Sequence, residues 1–195
     1  MKTLIFIILF FSLPLLAHEA HHHHEDAEMS AGTPVPGASI YQLEGSWTKM
    51  NGEKMKLSSL RGEPRLVAML YTRCQTACPL LVDDIQAIFK KIPETKKNMP
   101  VTLFSFDSDH ETSETMQQFL SKRKLGKNWS VMKSDASTVT ELAAALGVRF
   151  KKLPNGEYIH SNSVFLLDGE GVVIAQKDGL NTKDQKFVDE IKKLK

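Results

Sequence analysis

Two largely apolar segments dominate the middle of the chain. They are Arg65–Tyr71, "RLVAMLY", and Val101–Asp107, "VTLFSFD", and each predicts a strand that is buried on both faces. Between them, the segment Pro79–Ile92 places its apolar residues at helical spacing and so predicts a helix. Because the two strands are joined through a helix, we expect them to be parallel, with their carboxyl ends at the same edge of one sheet.

Further elements are predicted on both sides of this unit. Turns containing glycine interrupt "SWTKMNGEKMKL" and "SVFLLDGEGVVIAQ", and each of these segments predicts a hairpin of two short strands. Three more helices are predicted, over Thr112–Gly126, over Ser137–Gly147 and from about Lys183 onward. This order predicts an α/β protein with a thioredoxin-like fold, in which helices flank a mixed central sheet and an extra hairpin precedes it.

The amino-terminal residues do not fit this pattern. After a single lysine the chain is apolar and uncharged from Leu4 to Ala17, a run of ~14 residues, which is short for the ~20 of a membrane-spanning helix but fits the core of a signal peptide. We therefore predict a cleaved signal peptide at residues 1–17 and export to the periplasm or cell envelope, where disulfides persist. A buried helix and a retained membrane anchor are the disfavoured alternatives.

A polar segment rich in histidine follows at residues 18–39. It is too polar to bury itself, so we predict a flexible tail before a globular domain at residues 40–195. The tail could bind copper or zinc weakly, or it could be a solvated spacer. Its candidate ligands are His18, His21, His22, His23 and His24.

Composition and charge narrow the classes of function. The chain has 195 residues, of which 42% are hydrophobic and 25% charged, as expected for one ordinary globular domain with additions. The formal net charge is only +2, which gives no support for a nucleic-acid partner. The scattered lysines are typical of solvated helix faces.

Both cysteines, Cys74 and Cys78, directly follow the first buried strand. A spacing of four residues is about one helical turn, which brings the Cα atoms ~6 Å apart, so the pair can close into a disulfide or open to bind a metal. The nearby helix N-terminus should favour thiolates and lower the pKa of the thiols below ~8.5. A purely structural disulfide is disfavoured, since so short a loop places its stabilisation at the low end of ~0–5 kcal/mol.

A histidine is predicted to reach the same edge of the sheet. His160 stands just before the strand Ser163–Asp168, and that strand begins at the cysteine edge if it runs antiparallel to the central pair. Two thiolates and one imidazole suit Cu(I) and are acceptable to Cu(II) or zinc. Taken alone, a histidine such as His160 is more often a hydrogen-bonded residue at the edge of a strand than a metal ligand.

The segment "YTRCQTACPLL" resembles the Cys-x-x-x-Cys-Pro segment of the Sco/SenC family, and "YIHSNSVFLLDGEG" extends the resemblance towards the C-terminus. These are thioredoxin-fold copper chaperones of cytochrome oxidase assembly. The resemblance implies that Cys74, Cys78 and His160 bind copper, as Cu(I) or Cu(II), and that the two cysteines form a redox-active disulfide. It also implies two partners, a thiol reductant and a copper-receiving oxidase subunit or other exported cuproprotein.

This chain departs from the family's pattern at three positions. Gln75 and Thr76 stand where members often have proline and aspartate, and His110 stands where an arginine is common. Acidic neighbours of His110 should favour its charged imidazolium. We therefore expect His110 to be a poorer metal ligand than His160, with a role in partner contact or helix capping.

The main alternative is a thiol–disulfide oxidoreductase that cycles Cys74 and Cys78 without a metal. Typical catalysts of that kind have two residues between the cysteines and a facing proline, whereas this chain has three residues and no proline in "HSNSVF". A peroxiredoxin-like site is less well supported by the residues present. A copper buffer that uses the histidine-rich tail alone is a third hypothesis.

Overall fold

A mixed seven-stranded sheet forms the centre of the computed structural model, which describes residues 29–75, 77–181 and 183–194. The strands of the structure are β1 (Ser46–Lys49), β2 (Lys54–Lys56), β3 (Arg65–Leu70), β4 (Val101–Ser105), β5 (Trp129–Lys133), β6 (Phe150–Lys152), β7 (Tyr158–His160), β8 (Ser163–Leu167) and β9 (Val173–Asp178). The helices are α1 (Ala77–Phe89), α2 (Ser113–Lys122), α3 (Ala136–Leu146) and α4 (Gln185–Lys193). The sheet order is β2-β1-β5-β4-β3-β8-β9, while β6 and β7 form a separate two-stranded sheet.

The strand directions at the centre of the sheet confirm the predicted topology. Strands β3 and β4 are buried along their whole length and pair in parallel, as their apolar runs predict. Strand β8 pairs antiparallel with β3. The carboxyl ends of β3 and β4 and the beginning of β8 therefore meet at one edge of the sheet, where open α/β folds place their ligands.

Three strands were not anticipated from the residue pattern. Strand β5 carries Ser130 among its apolar residues, and it is a strand because it pairs in parallel with β4 and antiparallel with β1. Strands β6 and β7 have three residues each and pair with one another. Such short segments have no periodicity of their own, so tertiary contacts decide their conformation.

The helices begin one or two residues away from their predicted starts, and for α1 and α3 the residues at the start explain the difference. Helix α1 begins at Ala77 rather than Pro79, so that Cys78 lies in its first turn and proline occupies a position that needs no amide hydrogen. Helix α3 begins one residue earlier than expected, after Asp135, whose side chain accepts a hydrogen bond from the Thr138 amide. An aspartate at this position satisfies one of the helix's unpaired amides.

The flexible tail was predicted to extend from residue 18 to residue 39, but contacts with the folded domain begin before residue 39. The Gly32 amide donates to the Gly147 carbonyl at 2.8 Å, and the Val35 amide donates to the Ala145 carbonyl at 3.0 Å, so this part of the segment lies against the end of α3. A Cβ atom at Gly32 would lie 3.0 Å from the Gly147 oxygen, which is why glycine suits this close approach. The predicted signal peptide and His18–His24 lie outside the described residues.

The buried hydrophobic residues form one cluster, which includes residues of the central strands and of all four helices. Trp47 of β1 is fully buried and packs edge-on against Phe104 of β4, with ring centroids 4.7 Å apart. At the other end of the sheet, α4 packs beside β9, and its Phe187 side chain is buried. None of the helices in the three described ranges is long and apolar enough to cross a bilayer.

Candidate metal centre

The two cysteines occupy different environments at the sheet edge. Cys74 lies half-buried in the loop between β3 and α1, while Cys78 is fully buried in the first turn of α1. The Cys78 amide donates a hydrogen bond to Cys74 Sγ at 3.3 Å. The sulfur atoms are not joined by a disulfide in this structure. The helix N-terminus thus supports negative charge on the sulfur of Cys74.

His160, the last residue of β7, brings its ring to the buried cysteine. Its Nε2 atom lies 3.6 Å from Cys78 Sγ, and the residue is 4% exposed. The prediction that strand direction brings these distant residues together is confirmed. Whether Cys74, Cys78 and His160 bind a metal remains a prediction at this point.

A hydrogen bond on the far side of the ring orients His160. Its Nδ1 atom lies 3.0 Å from the carbonyl oxygen of Ser161. A carbonyl only accepts, so Nδ1 carries the hydrogen and Nε2 presents its lone pair towards Cys78. Ser161 is held in turn by Arg149, because the Ser161 amide donates to the Arg149 carbonyl at 2.8 Å and the Arg149 amide donates to Ser161 Oγ at 3.0 Å. This is the outer support that metal-binding imidazoles usually have.

Burial changes the acid–base chemistry expected for Cys78. Desolvation, and then the hydrogen bond and charge of Cys74, raise the pKa of the Cys78 thiol well above its ordinary value, although a backbone hydrogen bond at Tyr71 and then the charge of Arg123 partly oppose this. For Cys78, the expectation of a lowered pKa at the helix N-terminus is therefore wrong. Burial disfavours the charged form more strongly than the helix end favours it. Cys78 must give up its proton when a metal or an electrophilic sulfur arrives.

Aromatic side chains from four separate segments surround the imidazole. The ring of Phe106 lies 4.9 Å from that of His160, and the ring of Tyr71 lies 6.5 Å from it. Tyr158 packs on both Phe106 and Tyr71, and Phe150 stacks on Phe106. Burial and then the neighbouring Cys74 raise the pKa of the Tyr71 phenol. This aromatic wall limits water around His160, and no spacing in the sequence predicts it.

The loop after β4 holds the cysteine loop through two carboxylates. Arg73, next to Cys74, donates to Asp107 Oδ2 from two guanidinium nitrogens, at 2.9 and 2.6 Å. Thr72 donates to Glu111 Oε1 from its amide at 3.1 Å and from its hydroxyl at 2.6 Å. The sequence analysis noted acidic neighbours of His110 but missed the part that Asp107 and Glu111 have in positioning Cys74.

The pKa values of these two carboxyl groups move in opposite directions. Burial raises the pKa of Asp107, but hydrogen bonds from His110 and Arg73 outweigh it and hold the pKa below its ordinary value. Burial also raises the pKa of Glu111, and the hydrogen bonds from Thr72 only partly offset it. Asp107 is therefore the stable anionic partner of the Arg73 guanidinium.

His110 interacts with this carboxylate rather than capping a helix. Its Nδ1 atom lies 2.9 Å from Asp107 Oδ1 and 3.1 Å from an Arg73 nitrogen. Potential ligand atoms of Asp107, Asp109 and His110 lie within 4.8 Å of one another, but the guanidinium on Asp107 opposes a second cation there. The capping role expected for His110 is wrong, because the side chain of Thr112 caps α2 and forms a capping box with Thr115.

Comparison with known proteins identifies similar chains. The family model described as SCO1/SenC matches residues 38–195. The "SCO1 protein homolog" of Bacillus subtilis (strain 168) is 25% identical over 167 residues, which is 83% of this chain and 86% of that protein.

Two solved structures share the architecture. Bradyrhizobium japonicum ScoI, solved with copper bound, is 22% identical with a TM-score of 0.62, and the match covers 84% of this chain and 98% of that one. BsSco, described as a member of the Sco family of cytochrome c oxidase assembly proteins with a disulfide switch, is 22% identical with a TM-score of 0.65 over 84% of this chain and 100% of that one. These matches confirm the predicted thioredoxin-like fold.

Proposed function

The chain belongs to the SCO1/SenC family, and from that membership we propose that it is an exported copper-binding metallochaperone. It delivers copper to the copper centre of a respiratory oxidase or another exported cuproprotein, reduces the cysteines of that centre, or does both. The observation that carries the proposal is the 3.6 Å approach of His160 Nε2 to Cys78 Sγ, beside Cys74. Export is supported by the apolar run at residues 4–17 and the predicted signal peptide at residues 1–17.

The donor atoms of the site fit copper as cargo. Two cysteine sulfurs and one imidazole nitrogen form a soft set suited to Cu(I), and they also accept Cu(II). The lone pair of His160 Nε2 already faces Cys78, and the aromatic wall shields this imidazole from water. The copper-bound Bradyrhizobium japonicum structure and the assembly role stated for BsSco support this choice of metal and of recipient.

The two sulfurs have different parts in this function. Cys74 is the sulfur that an incoming ion or partner reaches first, because it is half-buried while Cys78 is fully buried. The Cys78 amide supports negative charge on Cys74. Cys78 holds its proton until a ligand or an oxidised Cys74 lies next to it, so copper binding at this site releases a proton.

A thiol–disulfide oxidoreductase is the second candidate function. The arrangement that favours it is the same difference between the cysteines, with an accessible sulfur for attack and a buried thiol to resolve the mixed disulfide. Turnover of insulin disulfides by metal-free protein, with no copper bound by the reduced form, would favour this candidate. One copper per chain that is lost in cysteine and His160 variants favours the chaperone.

Oxidation of the cysteine pair is expected to switch high-affinity copper binding off. A Cys74–Cys78 disulfide engages both sulfurs, and His160 alone cannot replace them. Isothermal titration of the mature protein should find one tight site in the reduced form and only weak sites in the oxidised form. Deletion of His18–His24 should then remove the residual binding. Tight copper binding by oxidised protein that lacks these histidines would show that the cysteines are not the principal ligands.

The two histidines at the sheet edge are expected to differ in their effect on copper affinity. Loss of an outer partner of a ligand costs ~10- to 100-fold in metal affinity, so His160→Ala, which removes a ligand, should cost at least ~100-fold. His110→Ala should change the affinity by no more than about fivefold, or ~1 kcal/mol, because His110 contacts Asp107 and Arg73. Cu(I) competition titrations measure both. Equal large losses would indicate a four-ligand Cys2His2 site, which favours zinc.

A further inference from the structure

The chain that follows the histidine-rich segment lies along the edge strand β9. Ser39 forms a β-bridge with Val172, just before that strand, and the Gln176 side chain donates to the Gly32 carbonyl at 3.2 Å, near the strand's end. Followed from residue 39 back to residue 32, the chain therefore runs towards the carboxyl end of β9. That end lies at the cysteine edge, because β9 is antiparallel to β8 and β8 begins there.

Contacts with α3 give the same direction. The Val35 amide binds the Ala145 carbonyl and the Gly32 amide binds the Gly147 carbonyl, so the chain leaves the last turn of α3 towards β6 as it is followed to lower numbers. Gly147 has a left-handed backbone, with φ +70°, and a Cβ atom there would lie 2.8 Å from the backbone of Gly32. Only glycine allows both this helix end and this close approach. We call residues 32–35 the anchor.

A short path of contacts joins the anchor to His160. Arg149 lies two positions after Gly147, and its backbone forms two hydrogen bonds with Ser161, at 2.8 and 3.0 Å. Ser161 directly follows His160 and accepts the hydrogen bond that orients the imidazole. Along this path the Cα atoms of Gly32 and His160 are at most ~22 Å apart.

A second set of contacts reaches the same place from β9. The Gln176 side chain that binds the Gly32 carbonyl also donates to Asp178 Oδ1 at 2.7 Å, and the Ser163 hydroxyl donates to that oxygen at 2.6 Å. Ser163 stands three residues after His160. The anchor is thus tied to both ends of the short segment at residues 161–163 that follows the imidazole.

The histidines before the anchor are close enough along the chain to span this distance. His24 lies eight positions before Gly32, which corresponds to ~26–29 Å when extended, and His18 lies fourteen positions before it, or ~46–50 Å. Both lengths exceed the longest separation that the contact path allows. The chain length therefore permits these imidazoles to reach the metal site of their own molecule.

The two sets of ligands differ in their strength for copper. The histidine-rich segment offers imidazoles, which bind copper and zinc, whereas the proposed site adds two thiolates, the softer ligands that copper prefers. Copper held by imidazoles alone is therefore bound more weakly than copper at the cysteines. This difference gives a transfer from the segment to the site its direction.

We propose that the histidine-rich segment at residues 18–24 captures copper and loads it onto Cys74, Cys78 and His160 of the same molecule. The inference rests on the proposed function and adds to it the route by which copper arrives. In the transfer, copper keeps its oxidation state while its bonds to the segment's nitrogens break and its bonds to the two sulfurs and to the His160 nitrogen form. A proton carried by either thiol leaves to the buffer, so no oxidant or reductant is consumed.

The test follows copper from the segment to the sulfurs in time. Reduced, mature protein is mixed rapidly with Cu(II) at less than one equivalent, and the thiolate-to-copper absorption reports arrival at the cysteines. Loading within one molecule gives a rate that does not depend on protein concentration, because donor and acceptor are tethered. Replacing the histidines by asparagine should remove this phase and leave a rate proportional to protein concentration. The residues replaced are His18, His21, His22, His23 and His24.

One spacer inserted at two different positions gives the matched comparison. About twenty glycine and serine residues between Met29 and Ser30 lengthen the connection from the histidines to the anchor, and should slow the transfer about fivefold, because effective concentration falls with tether length. The same spacer ahead of His18 leaves that connection unchanged and should leave the rate unchanged. Neither insertion replaces an anchor residue or a proposed ligand.

Transfer between molecules is measured separately. The double variant Cys74→Ser with Cys78→Ser, carrying copper on its histidines, is mixed with the asparagine variant, and this transfer should accelerate with concentration. If the unmodified protein shows the same concentration dependence, copper reaches the cysteines from solution or from another molecule, and the inference is wrong. Equal rates for the two spacer insertions would also contradict it.

Copper titration of the same samples separates this inference from the proposed function. One tight site that needs the cysteines, filled without a concentration-independent phase, overturns the loading route and leaves the chaperone proposal intact. Loss of the concentration-independent phase in the asparagine variant, with the tight site retained, supports the loading route. Absence of a tight site from every sample removes the proposed function and the inference together.

Discussion

Replacing Cys78 by serine is expected to abolish high-affinity copper binding. The variant removes a sulfur ligand and substitutes a hydroxyl that stays protonated at neutral pH and is a poor donor for Cu(I). The lost sulfur also leaves His160 Nε2 without the partner that lies 3.6 Å away. We expect the affinity to fall by at least ~1000-fold, about 4 kcal/mol. Competition against a Cu(I) chelator gives the affinity, and loss of the intense thiolate-to-copper absorption gives the change for Cu(II).

Two further variants make this test specific. Cys74→Ser should have a comparable effect, since the proposed site uses both sulfurs. Ala77→Ser places a new hydroxyl in the same first turn of α1 and removes no ligand, so it should bind copper as the unmodified protein does. Thermal unfolding of each variant checks that the fold is retained. Copper affinity within tenfold of the unmodified protein in Cys78→Ser would refute the proposed ligand set.

Breaking the buried ion pair between α1 and β9 is expected to have the largest effect on stability. Lys177 Nζ lies 2.9 Å from Asp84 Oδ2, and the two side chains are only 4% and 10% exposed. Lys177 also donates to the Gly179 carbonyl at 2.9 Å, and the Asn181 amide donates to the same Asp84 oxygen at 2.9 Å. Removing one partner leaves an uncompensated buried charge, so Lys177→Met should lower the free energy of unfolding by ~3–5 kcal/mol.

Urea denaturation measures this loss against two comparisons. Lys192→Met removes an exposed Lys–Asp pair of similar length, 3.1 Å with side chains 42% and 48% exposed, and should cost less than ~1 kcal/mol. The double variant Asp84→Leu with Lys177→Met removes both charges and should recover part of the single variant's loss. Equal small losses in the buried and exposed single variants would show that the buried pair does not hold α1, and with it Cys78, against the sheet.

The local pattern of apolar and polar residues was sufficient to predict the elements whose own sequence is a clear apolar run or has a clear helical period. The apolar runs that became β3 and β4 predicted buried parallel strands, and the helical spacing after Pro79 predicted α1. The helical connection between the two strands predicted that they run parallel, and an antiparallel third strand then predicted the shared edge at which Cys74, Cys78 and His160 meet. These inferences succeed because periodicity, strand burial and the direction of strands joined by a helix depend on the chain over a few to a few tens of residues.

Packing between segments that are distant in sequence decided the features that the local pattern did not predict. Strands β5, β6 and β7 exist through their partners, and the aromatic wall around His160 joins four segments that no spacing connects. The raised pKa of the Cys78 thiol follows from burial, which reversed the effect expected from the helix N-terminus. The hydrogen bond from Arg73 to Asp107 likewise forms only where the loops after two different strands meet. A groove beside Cys74 forms only where the cysteine loop, α1 and α2 come together. The desolvation and the contacts of a side chain depend on all the atoms around it in space. The sequence pattern describes only the residues that are near it along the chain.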